Sequence, residues 1–179
     1  MTEVGLDGSS YEEIQALQSS VTGGFNASIK LQTKNPKDPG KLFLSISSKC
    51  LEGNFVEMEK LILDTIKFVR FDESSRIQDL LNIFIARNEE SLNQNGHYLA
   101  MNSAASSLNE LAATSFQMSG LKMLNETKAN VSGAQESSDT SSIIKILQSI
   151  HHKVQPTPSK IFTACSPKAL KDTSAAFDE

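Results

Sequence analysis

The 179-residue sequence contains no tryptophan, two cysteines, three histidines and 6% aromatic residues. Seventeen Lys and Arg against 21 Asp and Glu leave a formal net charge of −4, so the basic face and stacking rings of a nucleic-acid binder are both missing. No apolar run approaches the roughly 18–20 residues of a spanning helix, and Met1 leads into Thr2-Glu3 instead of a basic and apolar signal segment. The expectation is a soluble chain with no membrane partner. Cys50 and Cys165 are too few for a disulfide framework and read as buried thiols at the ends of strand-like runs. What remains is 39% hydrophobic and 21% charged residues spread along the chain, a globular profile. The length suits one domain with a tail and hardly two separate cores.

The order of elements follows from local pattern. Ser10-Tyr11-Glu12-Glu13 has capping-box spacing, and Tyr11, Ile14, Leu17 and Val21 fall on one helical face that Thr22-Gly23-Gly24 ends. Alternation through Phe25, Ala27, Ile29 and Leu31, then through Leu42, Leu44 and Ile46, predicts two antiparallel strands with one wet face. Asn54 as N-cap precedes a helix through Phe55, Met58, Leu61, Ile62, Ile66 and Val69. A second long helix carries Ile77, Leu80, Leu81, Phe84 and Leu92 and ends near Asn93-Gln94-Asn95-Gly96. An Ala- and Ser-rich helix from His97 to Leu108 and another from Leu111 to Leu124 follow. The segment 130–142 has little apolar content and reads as a mobile loop; 143–179 reads as a helix, a third strand from Lys160 to Ser166, and a terminal stub toward Phe177. The expected architecture is α+β over residues 1–179 as a single domain. It is a two-layer sandwich in which several helices cover one face of an antiparallel sheet short of strands.

The residues offer little chemistry of their own. A catalytic zinc needs three protein ligands and an open position, yet there is no His-Glu-x-x-His or its inverse, and neighbouring His151 and His152 diverge by about 100° on a helix. No Gly-x-Ser-x-Gly elbow is present, neither cysteine carries the signature of a paired imidazole, and Thr22-Gly23-Gly24 precedes a strand without the lysine of a phosphate loop. The reading assigns no catalytic residue and no metal ligand.

A set of short segments, in order, is more informative: Thr2-Glu3-Val4-Gly5, Thr22-Gly23-Gly24, Ser47-Ser48-Lys49-Cys50-Leu51, Phe71-Asp72, Arg76-Ile77-Gln78-Asp79-Leu80-Leu81, Glu89-Glu90-Ser91, Asn95-Gly96-His97-Tyr98-Leu99-Ala100, Ala104-Ala105-Ser106 and Gly120-Leu121. Together they resemble the third homologous domain of the presequence protease branch of the pitrilysin/insulinase superfamily of zinc metallopeptidases. The resemblance is good over 2–128 and loose over 140–179. It implies a structural family signature at Gly23, Gly24, Gly96, His97 and Ala100, with Gly96 as a close-approach residue between helices and His97 as a structural hydrogen-bonding residue.

The same resemblance implies a non-catalytic part of an enzyme that degrades unstructured peptides in a closed chamber, this chain supplying chamber wall and domain packing. Zinc in that family is held by an inverted His-x-x-Glu-His helix of a domain that has no counterpart here, so no cofactor is expected on this chain and no activity from it alone. The implied partners are the remainder of the peptidase and its peptide substrates, in an organellar matrix such as the mitochondrion, and the domain reads as truncated. Two alternatives stand beside it: a free-standing non-catalytic subunit of a zinc-bearing partner chain, and a peptide-binding module that uses an open sheet edge.

Overall fold

Ser10 opens α1 (Tyr11–Val21) with the capping box its spacing predicts: Glu13 Oε2 accepts from the Ser10 N–H at 2.8 Å, and Ser10 Oγ accepts from the Glu13 N–H at 3.4 Å. In this computed structural model residues 1–35, 38, 40–136, 141–155 and 160–166 are described. After α1 come β1 (Phe25–Gln32), β2 (Lys41–Ser48), a 3₁₀ turn (Glu52–Asn54), α2 (Phe55–Phe68), α3 (Ser74–Gln94), α4 (Gly96–Ala105), α5 (Glu110–Ser119), α6 (Leu121–Glu136) and α7 (Ser141–Val154). The class is α+β, with β1 and β2 forming a two-stranded antiparallel sheet among the described residues.

The chain divides into two compact units, one of Met1–Ser28, Ile46–Phe71 and Gln148–Glu179, the other of Ile29–Ser45 and Asp72–Leu147. In the first, Val4, Leu6, Ile14, Leu61, Val69 and Phe71 are buried, together with Thr65 and His151. A helix leaves its last carbonyls without partners of its own, and the three at the end of α2 receive donors from far along the chain. The Ile66 oxygen accepts from His151 Nε2 at 2.7 Å, the Lys67 oxygen from Gln155 Nε2 at 2.7 Å, and the Phe68 oxygen from the Asp7 N–H at 3.0 Å. Because a carbonyl only accepts, His151 Nε2 carries a proton. The N-terminal segment continues the pairing: Leu6 bridges Val69 antiparallel, Gly5 accepts from the Arg70 N–H at 3.0 Å, and Arg70 Nη1 donates to the Asp7 carbonyl at 2.6 Å. Asp7 sits at φ 47°, the left-handed conformation that lets the chain fold back from Leu6 to Ser9.

In the second unit α3 lies against α6, and α5 against both α4 and α6. Ile77, Leu124, Val131 and Ile143 are buried, and Leu81, Ile85 and Leu147 close around Val131 and Ile143. Lys128 on α6 pairs with Glu89 on α3. Gly40, which precedes β2, has φ +81°, and a Cβ there would stand 2.7 Å from Leu111 Cδ1 and 2.9 Å from Leu31 Cδ1, so conformation and space both require glycine.

Several expectations are corrected. Lys160–Ser166, expected as a third strand, has no regular structure, and Phe162 is 90% exposed; strand propensity yields a strand only where a neighbour offers backbone partners. Segment 130–142 is helical at both ends, because α6 runs to Glu136 and α7 starts at Ser141; Val131 is the buried anchor of that part of α6. Residues 137–140 lie outside the described residues, as does the expected stub beyond Ser166. The helix expected over 111–124 is two helices broken at Gly120. Asn54 makes no side-chain N-cap; its Nδ2 donates to the Val21 carbonyl at 3.2 Å. The sheet has no single wet face: Ile29, Leu42 and Phe43 are all exposed, and Leu42 and Phe43 are neighbours that point to opposite sides.

Replacing His151 by leucine strands the Ile66 carbonyl in a partly buried site, and about 1–2 kcal/mol of stability should be lost. Urea unfolding of His151→Leu beside the exposed-site control His97→Ala checks this; equal midpoints would show that the carbonyl needs no imidazole.

Candidate functional site

The five expected signature residues fall in both units. Gly23 and Gly24 form the turn from α1 into β1. The Gly23 N–H donates to the Lys49 carbonyl at 2.7 Å, Ser48 Oγ donates to the Gly24 carbonyl at 2.9 Å, and Thr22 Oγ1 accepts from the Gly24 N–H at 3.3 Å. Gly24 has φ +145°, which a side chain would strain. With Asn54 bonded to Val21, this turn is tied to the chain leaving β2. Its role is to close the base of the hairpin.

Gly96, His97 and Ala100 lie on α4 and are all exposed. A Cβ on Gly96 would meet nothing within 4 Å, so Gly96 is not a close-approach residue. It follows Asn95 where the chain leaves α3, and it separates two helices without bringing them together. His97 is exposed at the second position of α4. The crowded glycine is Gly120, buried at the end of α5, where the preceding turn of the same helix leaves no room for a side chain. A Cβ there would stand 2.5 Å from the Phe116 carbonyl oxygen and 2.9 Å from its ring. Its position between two apolar-periodic stretches was the available signal, since a glycine inside a helical pattern often marks such a contact.

Beside Gly120, the second unit holds a half-open cleft of about 380 Å³. Its lining includes Leu92, Leu99 and the buried Leu124 together with Asn88, Ser91 and Asn95. Asn88 Nδ2 donates to the Phe84 carbonyl at 2.8 Å, and Asn95 Nδ2 donates to Ser91 Oγ at 3.0 Å. Among the described residues, no His, Cys, Asp, Glu, Lys or Arg side chain lines this cleft.

Among the described residues, no three His, Cys, Asp or Glu side chains stand together so as to hold an ion. His151 spends Nε2 on the Ile66 carbonyl and packs edge-on to Phe71 with ring centroids 5.9 Å apart, while His152 and His97 are exposed. This set does not fit a zinc centre. The sequence offers His151 as a candidate metal ligand that it discounts, and Ile143, Leu147 and His151, recurring at four-residue spacing, place the imidazole on the buried face of α7 instead. Cys50 is half-buried and Cys165 exposed, against the expectation of two buried thiols. Burial pushes the Cys50 thiol above its ordinary pKa, and the nearby Glu57 carboxylate adds to the effect.

Comparison with known proteins covers most of the chain. A family profile described as peptidase M-16C associated matches residues 1–129. The "Presequence protease, mitochondrial" of Danio rerio is 28% identical over 134 residues, which are 74% of this chain and 13% of that protein. The chain thus spans about an eighth of the length of that relative.

Two outcomes follow from this geometry. Gly120→Ala should lose about 1–3 kcal/mol through overpacking against Phe116, whereas Gly96→Ala should be neutral or gain up to about 1 kcal/mol as a better helix former in open space. Urea midpoints decide it, and the reverse order would refute the crowding at Gly120. With iodoacetamide near neutral pH, mass spectrometry should find Cys165 labelled well before Cys50, whose rate should climb only at higher pH than an ordinary thiol's; faster labelling of Cys50 would contradict its burial.

Proposed function

The chain belongs to the peptidase M-16C associated family, and from that membership we propose that it is a non-catalytic part of a presequence-protease-like zinc metallopeptidase. In this reading the chain contributes wall and domain packing to a chamber that encloses unstructured peptides, and the zinc and its ligands come from another part of the enzyme. The observation that carries it is the family match over residues 1–129. The short share of the zebrafish relative that is covered supports a role as one piece of a larger polypeptide. A mitochondrial location is proposed on the printed name of that relative, and no helix among the described residues is long and apolar enough to cross a membrane.

Two physical features support the same reading. The histidines are committed or scattered, as described above, so the chemistry of a zinc peptidase has no footing in the described residues. The hairpin exposes Ile29 (64%) and Leu42 (57%) together with Phe43, apolar surface that a larger assembly would cover. A two-stranded sheet is marginal alone and gains stability from further strands.

The test is direct. The purified chain, supplied with zinc and an unfolded peptide, should show no hydrolysis above background. Turnover abolished by a chelator and restored by zinc would overturn the proposal, and a stable stoichiometric complex with a separate zinc-bearing chain would replace it with a two-chain peptidase.

A further inference from the structure

The junction between α3 and α4 carries the one Asn-Gly pair in the sequence, Asn95-Gly96. Packing does not require the glycine, since a Cβ there meets open space, and neither does conformation, since Gly96 begins α4 in helical geometry. What the glycine changes is the chemistry of the residue before it. Asparagine is among the thermally labile residues, because the backbone nitrogen that follows it can attack its carboxamide. A following glycine puts no Cβ in the path of that attack and leaves the backbone free to turn toward it.

The structure leaves this path accessible at Asn95. Both residues are exposed. Gly96 is the first residue of α4, where a helix has no carbonyl of its own to take the N–H. At ψ 26° the Gly96 nitrogen is turned away from Asn95 Cγ, so the junction must first swing open. The bonds that hold it are few: Leu99 N–H to the Asn95 carbonyl at 3.1 Å, and Asn95 Nδ2 to Ser91 Oγ at 3.0 Å. No side chain caps the start of α4, and helix ends of this kind fray. Other asparagines are better protected. Asn35 precedes a proline, which has no N–H; Asn102-Ser103 lies inside α4; Asn109 Oδ1 accepts from the Ala112 N–H at 2.8 Å.

We propose that Asn95 is a site of spontaneous deamidation, which turns the neutral α3–α4 junction into an anionic one as the protein ages. The Gly96 nitrogen loses its proton to solvent and forms a bond to Asn95 Cγ. The bond from Cγ to Nδ2 breaks, and Nδ2 leaves as ammonia. Water then opens the cyclic imide. Attack at Cγ gives aspartate with the original backbone; attack at the Asn95 backbone carbonyl carbon gives isoaspartate, whose chain runs on through Cβ and Cγ. The net change is hydrolysis of an amide, with no oxidant or reductant.

The consequence is local and large. From Ser91 to Asn109 the sequence contains no Asp, Glu, Lys or Arg, so the new carboxylate is the first acidic group in that stretch. It stands at the C-terminal end of α3, where a negative charge opposes the helix dipole, and it replaces the donor to Ser91 Oγ. In the isoaspartyl product the extra methylene shifts α4 against α3, and the oxygen that accepts from the Leu99 N–H becomes part of the free carboxylate.

The experiment ages the folded full chain near neutral pH at physiological temperature, digests samples under mildly acidic conditions and maps the peptides by mass spectrometry. The mass gain from exchanging –NH2 for –OH should appear at Asn95 several-fold faster than at any other asparagine, as a mixture of aspartate and isoaspartate. Aged chain should bind an anion exchanger more tightly in step with that gain. Gly96→Ala, and Asn95→Gln, which would have to close a larger ring, should each remove the fast conversion while leaving the circular dichroism spectrum in place. A rate at Asn95 no higher than at Asn102, conversion only after unfolding in urea, or an unchanged rate in Gly96→Ala would each overturn the proposal.

Discussion

Three carbonyl oxygens at the end of α2 organise the first unit. A helix cannot satisfy its own last carbonyls, which must find donors elsewhere in the chain or in water. Here the donors are the Asp7 N–H, His151 Nε2 and Gln155 Nε2. Two of them come from residues more than 80 positions away in sequence. The requirement of one helix end thereby fixes the N-terminal segment, which zips onto Val69 and Arg70, and the end of α7, whose imidazole fits edge-on to Phe71. Thr65, fully buried on α2, turns its own hydroxyl back to the Leu61 carbonyl and needs no further partner.

The hairpin presents the opposite situation. Its base is closed by the Gly23–Gly24 turn and its far end by the tight passage at Gly40, yet apolar side chains stand exposed between them. Local geometry is satisfied there while apolar burial is not. In the proposed reading, the remaining burial belongs to contacts that a larger peptidase would make.

Features governed by near neighbours were legible in the sequence, and those governed by distant ones were not. The Ser10 capping box, the end of α1 at paired glycines and the break after α3 each depend on a few adjacent residues, and each stands where the pattern put it. The α+β class followed from periodicity alone. Gly120 is an exception: its crowding comes from Phe116, only four residues earlier, yet the sequence pattern does not separate it from Gly96. Strand pairing at Lys160–Ser166 depends on a neighbouring edge that alternation cannot reveal. His151 was half legible: the stripe of α7 shows that it is buried, while its bond to Ile66 needed the fold. The cleft was not legible at all, since its lining comes from α3, α4 and the α5–α6 junction and carries no motif, only an absence of charge.

The central claim is that this chain works as a structural part of a larger zinc peptidase. It is tested most directly by the size of the native polypeptide, detected in source cells with an antibody raised against residues 54–128. The account predicts a band several times larger than 19.5 kDa. A band at 19.5 kDa, with no zinc-bearing chain bound to it, would contradict the account.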